Sequence, residues 1–243
     1  MGMSAFDAVH KNHKMISVII PALNEEDNIA RCIESVLNEG CDCEIIVADG
    51  GSMDKTVEAA KRYPGVSFIQ SRNGRGIQMN MGSSVASGDV LLYLHADTML
   101  EKGWAAEILS VLEDTSISGG AFTFSIRSLL WKYRLVEAWV KLRCRLCSLP
   151  YGDQAIFVRK SAFDLIGGYK NIPLMEDVDF IGRLKKLGTI VILNKKAFTS
   201  ERRWSKKGLI KTAAMNQLIM LLYKFGVNPD RLARIYTAVA KKD

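Results

Sequence analysis

The chain has 243 residues, 48% hydrophobic and 24% charged, enough apolar content to bury a sizeable core in one large domain or two small ones. That balance excludes a disordered, collagenous or coiled-coil chain. Thirty-three Lys and Arg against 26 Asp and Glu give a net charge of +7, which suits phosphate-bearing partners or an anionic membrane surface without choosing between them.

Residues 1–14 read as a disordered lead-in. They contain no apolar stretch of the kind a secretory signal needs. No run reaches the roughly 18–20 apolar residues of a membrane-spanning helix. Five cysteines are an odd number, so a disulfide framework is not expected, and reduced thiols in the cytoplasm are. The close pairs are Cys41/Cys43 and Cys144/Cys147. The three histidines (His10, His13, His95) do not complete a zinc set with either pair, so the cysteines read as small buried hydrophobes.

In chain order, Met15 to Ile20 is a continuous apolar run ended by Pro21, the pattern of a buried parallel strand. A helix is predicted over Asn28 to Leu37, with Ile29, Cys32, Ile33 and Val36 at helical spacing. Glu44 to Ala48 is a second strand, and Asp54 is placed to cap a helix over Lys55 to Tyr63. Val66 to Gln70, a helix from Gly74 through Ala86, and a strand over Asp89 to Leu94 follow. The second half is less regular. Strands are expected at Ala121 to Ile126, Ile156 to Arg159 and Thr189 to Leu193. Helices are expected at Leu129 to Cys147, Ser161 to Ile166, Val178 to Leu187 and from Leu209 onward, with a break at Gly226 to Pro229.

Strands alternating with helices of about ten residues imply βαβ units and a mostly parallel sheet. Ligands of such sheets sit beyond the carboxyl ends of the strands. Polar residues follow three of those ends: Asn24-Glu25-Glu26, Asp49, and His95-Ala96-Asp97. Acids at neighbouring strand ends can share a hard divalent cation and, through it, a nucleotide's phosphates.

The run Ser17 to Glu26 (SVIIPALNEE), followed by Val47 to Asp54 (VADGGSMD), resembles the opening of the family 2 glycosyltransferases. His95-Ala96-Asp97 stands where that family has its D-x-D metal motif, and Glu176-Asp177 resembles its E-D motif. Gly152-Asp153-Gln154 and Ser200-Glu201-Arg202-Arg203-Trp204 extend the similarity to a bacterial subgroup of radical-SAM/selenodomain-associated transferases. The resemblance spans about Ile16 to Tyr236 and implies a GT-A-like α/β fold with a mixed, mainly parallel sheet. It implies a single domain over 15–243, with a nucleotide-binding half (15–100), an acceptor half (101–208) and C-terminal helices (209–243). It also implies a nucleoside-diphosphate sugar as donor.

By the same resemblance, Pro21, Ala22, Asn24 and Glu25 line the nucleotide pocket and Asp49 accepts hydrogen bonds from the base. Arg75, Gln78, Arg203 and Trp204 join the nucleotide-sugar site, with Arg202 and Arg203 as further cations for the leaving diphosphate. Asp97, assisted by His95, holds Mn²⁺ or Mg²⁺. His95 replaces the first Asp of D-x-D, which lowers the site's negative charge and implies weaker metal affinity or a shift toward Mn²⁺. Ser200 replaces the Gln of the Q-x-x-R-W motif of processive relatives, which argues against processive synthesis. Asp177 is implied as the general base of an inverting transfer, with Glu176 steadying it or holding the acceptor. Two acids in a helix first turn are also what the helix dipole favours on its own.

Within Leu129 to Cys147, Trp131, Leu135, Ala138, Leu142 and Leu146 form one apolar stripe. Leu129, Val136, Val140 and Cys147 form another, with cations on the borders. Two apolar faces suit a helix partly in the core and partly against a membrane, hence a peripheral location on the inner membrane face and an amphiphilic, lipid-linked acceptor. Three rival readings remain. A sugar nucleotidyltransferase would need a Gly-rich, Arg-bearing loop after the first strand, where Pro21 to Glu26 is acidic and lacks glycine. A catalytically inactive nucleotide-sugar binder is suggested by His95. A nucleic-acid binder is disfavoured because the charge is spread along the chain with no recognisable motif.

Overall fold

The computed structural model describes residues 14–202 and 208–240. Thus the expected lead-in, save Lys14, lies outside the described residues, as do Arg203 and Trp204. An eight-stranded sheet runs in the order β3-β2-β1-β4-β7-β6-β8-β5. The strands are β1 (Ile16–Ala22), β2 (Cys43–Asp49), β3 (Val66–Gln70), β4 (Val90–Tyr93), β5 (Thr98–Leu100), β6 (Ile117–Ile126), β7 (Ile156–Arg159) and β8 (Thr189–Thr199). The pairings make β1, β2, β3, β4, β6 and β8 co-directional, and only β5 and β7 run against them. This is the mixed, mainly parallel sheet of the GT-A fold.

Strand β1 is buried at every position, which explains its unbroken apolar run. Alternate residues feed opposite faces: Val18 and Ile20 pack with α1 (Ile29–Leu37) and α4 (Trp104–Val111), whereas Ile19 packs against α3 (Arg75–Val85) and α7 (Glu176–Leu184). Helices therefore cover both sides. Strand β1 also runs two residues past Ile20, through Pro21. The Ile19 carbonyl takes the Leu94 N–H and the Ala22 carbonyl takes the Gly50 N–H, so residue 21 faces the β4 side. Strand β4 pairs only up to Ile19, so no ladder bond there requires the N–H that proline lacks.

Several boundaries move. Helix α2 is short (Thr56–Ala60), although Asp54 does accept hydrogen bonds from the Thr56 N–H and hydroxyl. Strand β6 starts at Ile117, four residues early, and β8 continues to Thr199. Helix α5 begins at Lys132 and α7 at Glu176. A short α6 (Lys160–Leu165) follows β7. Two C-terminal helices, α8 (Leu209–Lys224) and α9 (Pro229–Ala240), pack Ile219, Met220 and Leu232 against Met175 and Val178. Among the described residues no helix is long and apolar enough to cross a membrane. All five cysteines are free thiols.

Candidate active site

The carboxyl ends of the co-directional strands open into one cleft of ≈ 1090 Å³, lined from several elements. After β1, the loop is stitched to the loop after β2. The Asn24 N–H donates to Ser52 Oγ (2.9 Å), and Asn24 Oδ1 accepts from the Met53 N–H (2.9 Å). The Glu25 N–H donates to Thr56 Oγ1 (2.7 Å). Asn24 has φ +53°, a left-handed conformation that asparagine tolerates better than most residues.

Asp49 is 2% exposed and lies below the cleft lining. Its Oδ2 accepts from the Gly51 and Ser52 N–H groups, and its Oδ1 accepts from Ser52 Oγ. Both oxygens are committed to the Gly50–Ser52 turn, so Asp49 shapes the surface a base would meet. Gln78 is equally internal in its chemistry: its Nε2 donates to Ala22 O (2.7 Å) and Ala48 O (2.8 Å), tying the ends of β1 and β2 together. Pro21, Ala22, Glu25, Gln78 and Arg75 line the cleft, whereas Asn24 is exposed outside its lining.

On the opposite side, Gly152-Asp153-Gln154 forms a single 3₁₀ turn before β7. Gln154 is its buried hub. Its Nε2 donates to Phe122 O (3.0 Å), while its Oε1 accepts from Arg143 Nη2 (3.0 Å) and the Tyr151 N–H (3.2 Å). The Gly152 N–H donates to Asp177 Oδ2 (2.7 Å), and the Val178 N–H donates to Asp177 Oδ1 (2.8 Å). The Asp177 carboxylate is thus held by the distant Gly152 turn on one oxygen and by the next amide of its own helix on the other. A Cβ at Gly152 would lie 2.9 Å from His95 Nε2 and 3.5 Å from Asp177 Oδ2, so glycine is what allows His95, this turn and Asp177 to meet. Met175, the residue before α7, has φ +69° and aims Glu176 and Asp177 into the cleft.

Arg75 Nη1 lies 3.2 Å from Glu176 Oε1, an ion pair in which half of the Arg75 side chain still faces the cleft while Glu176 is buried. Burial works against the Arg75 charge, but Glu176, Asp177 and Asp97 outweigh it and hold the guanidinium pKa above its ordinary value. For Glu176, burial and then the Asp177 charge push the pKa up, and Arg75 only partly offsets them. Three carboxylates around one guanidinium leave a net negative site. Arg202 at the rim pairs with Glu25 (Nη2 to Oε1, 2.5 Å).

A divalent cation fits this chemistry in one way. Among the described residues no three His, Cys, Asp or Glu side chains converge as ligands. Asp97 and His95 do line the cleft beside the other acids. A hard cation held by one or two protein groups takes the rest of its oxygens from substrate phosphates.

The Glycosyl transferase family 2 model matches residues 17–169. The chain belongs to that family. The PGL/p-HBAD biosynthesis glycosyltransferase of Mycobacterium bovis is 29% identical over 178 residues, 68% of each chain. Glycosyltransferase AglE of Haloferax volcanii is 29% identical over 121 residues, 45% of this chain and 40% of that protein. Among solved structures, S. aureus TarS 1–349 superposes with a TM-score of 0.62 at 15% identity, over 85% of this chain and 64% of that one. TarS 1–349 in complex with UDP-GlcNAc gives 0.61 at 16% identity, over 77% and 59%. This family 2 chain therefore shares the GT-A fold and spans somewhat less than two thirds of TarS 1–349. The matched range stops short of Glu176 and Asp177, whose placement rests on geometry.

Most expected site residues converge, namely Pro21, Ala22, Glu25, Arg75, Gln78, His95, Asp97, Glu176 and Asp177. Sequence reasoning missed Tyr151 and the α8–α9 wall (Asn216, Ile219, Asp230, Tyr236). Tyr151 adjoins the Gly152-Asp153-Gln154 motif and could have been found there. The wall carries no local signal.

Proposed function

We propose that this family 2 enzyme transfers a sugar from a nucleoside-diphosphate donor to an acceptor hydroxyl with inversion at the anomeric carbon, and that Asp177 is the base. The observation that carries this reading is the Asp177 carboxylate, fixed by the Gly152 and Val178 N–H groups in the cleft that also holds Asp97, Glu176 and Arg75. In a single displacement the acceptor oxygen forms the new bond to the anomeric carbon. The old carbon–oxygen bond breaks with its electron pair going to the diphosphate, and the hydroxyl proton passes to Asp177. Arg75 meets the growing negative charge of the leaving group. Glu176 holds Arg75 in place and steadies the acceptor side.

The nucleotide lies along Pro21, Ala22 and Glu25, on the loops that Asn24, Asp49 and Gln78 brace. Asp97, with His95 beside it, would hold Mn²⁺ or Mg²⁺, which would supply Lewis-acid stabilisation of the leaving diphosphate. The acceptor of this proposal is an amphiphilic, lipid-linked hydroxyl compound at an anionic membrane surface.

The TarS neighbours were solved with UDP and UDP-GlcNAc, which makes the uridine series the first probe. A thermal-shift screen of nucleoside diphosphates and their sugars, with and without Mn²⁺, tests the donor site. Ligand at about a hundredfold excess over Kd stabilises the native state by about 2.7 kcal/mol. Asp97→Ala is expected to abolish the Mn²⁺-dependent part of the shift, whereas the exposed control Glu113→Ala keeps it. Equal Mn²⁺-dependent shifts in both variants would remove Asp97 from the metal site.

A further inference from the structure

Helix α5 (Lys132–Cys147) turns only one of its faces to the core. Tyr133, Val136, Val140 and Cys144 pack on Phe124 and Ile126 of β6. Trp131, Leu135, Ala138, Trp139, Leu142 and Leu146 fall within an arc of about 100° on the other side. These are exposed: Trp131 74%, Leu146 73%, Leu135 60% and Trp139 52%. Leu129 and Leu130, just before the helix, are exposed as well. Of the two stripes read from the sequence, Val136 and Val140 of the second enter the core, and the first faces outward whole.

The charges are sorted around that arc. Arg134, Lys141 and Arg145 border one side and Lys132 the other. The single acid of the helix, Glu137, is drawn inward, where it accepts from Ser125 Oγ (2.9 Å) and the Ile126 N–H (2.7 Å) and pairs with Arg134. The outer face therefore offers leucines and two tryptophans between cationic margins and no carboxylate. Its complement is a surface with an apolar interior and an anionic skin.

We propose that this outer face of α5 docks on an anionic lipid bilayer, with the Leu and Trp side chains in the headgroup–acyl boundary and Lys132, Lys141 and Arg145 on lipid phosphates. Helix α5 is coupled to the cleft. Arg143 stacks on the Tyr151 ring at 3.5 Å, and Tyr151 lines the cleft beside the turn that grips Asp177. Docking by α5 brings the bilayer to the Tyr151 side, where a lipid-borne hydroxyl enters. That consequence rests on the sugar-transfer reading, whereas the docking does not.

The test is co-sedimentation of the whole chain with vesicles of phosphatidylglycerol and phosphatidylcholine in equal parts, against vesicles of phosphatidylcholine alone. The expected result is anionic-vesicle binding at low salt that weakens as salt rises, because exposed charges are screened over about 8 Å at physiological ionic strength. Bound tryptophan fluorescence should shift to the blue. Leu135→Glu with Leu142→Glu, and separately Lys141→Glu with Arg145→Glu, are each expected to lower partitioning about tenfold or more. The UDP thermal shift in the same variants reports that the fold and donor site survive. Equal or absent binding to both vesicle types at low salt overturns the proposal. So does parental partitioning by the leucine variant, or a concentration-dependent dimer that this variant abolishes, which would make the face a contact between copies. Failure of the donor screen with vesicle binding intact would sink the proposed reaction and leave the docking standing.

Discussion

At Asp177, each carboxylate oxygen takes one backbone N–H, from Gly152 on one segment and Val178 on another. Such a group is held in direction without being covered, which a base requires. Asp177→Asn keeps the size but cannot accept a proton, so turnover should fall about 10²–10⁴-fold. The nucleotide-induced thermal shift in the same variant should persist, which separates lost chemistry from a collapsed site. Near-parental turnover would reduce Asp177 to a helix-end acid. Its neighbour makes a prediction of opposite kind. Burial and Asp177 raise the Glu176 pKa in the folded state, so the native protein holds that proton to higher pH than the unfolded chain does. Stability therefore falls as pH rises upward from the ordinary glutamate range, about pH 4.3, through the raised value. Glu176→Gln should flatten that part of a melting-temperature profile. A parental slope in the variant would assign the effect elsewhere. The acids were legible in the sequence because they sit next to strand ends and a helix start. Their partners were not: Gly152 is 25 residues from Asp177, and Arg75 is 101 from Glu176.

Helices and strands were legible where the pattern is local. The apolar runs of β1 and β4 and the spacing in α1 need no tertiary knowledge. Helix α4 and strand β5 escaped notice for a physical reason. Gly103, before α4, has no capping side chain, and the first amides are met instead by Glu39, which accepts from the Gly103 (2.8 Å) and Ala105 (3.3 Å) N–H groups across the fold. A distant cap leaves no trace beside the helix it caps. Strand β5 has three residues and exists because β8 is there to pair with it. Helix α3 carries the prediction at this scale. Gln78 ties two strand-end carbonyls together from a buried position, so Gln78→Ala removes two hydrogen bonds and that tie, although the Ala22 carbonyl keeps the Gly50 N–H. The expected cost is about 1–3 kcal/mol in denaturant unfolding, together with a weaker nucleotide shift as the β1 and β2 loops loosen. An unchanged unfolding midpoint would mean that water replaces the amide.

Over the whole molecule, six co-directional strands deliver their carboxyl ends to one edge, so residues from 21 to 236 share a single cleft. Among the described residues, three of the four non-glycine residues with positive φ, Asn24, Ala155 and Met175, lie in or beside the loops at that edge. Backbone strain gathers there because the sheet over-determines the loops it carries. The amino-acid order alone determined the α/β class, the parallel first half, the family, and the acids at the strand ends. Each of these is written in short-range periodicity or in contiguous motifs. Only the tertiary structure decided that Asp49 and Gln78 spend their polar atoms inside the protein, and that Glu176 pairs with Arg75. It alone turned the Leu–Trp stripe of α5 outward and made the C-terminal helices a wall of the cleft. Those outcomes depend on which surfaces meet across the fold, and burial and hydrogen bonding between distant segments leave no local pattern to read.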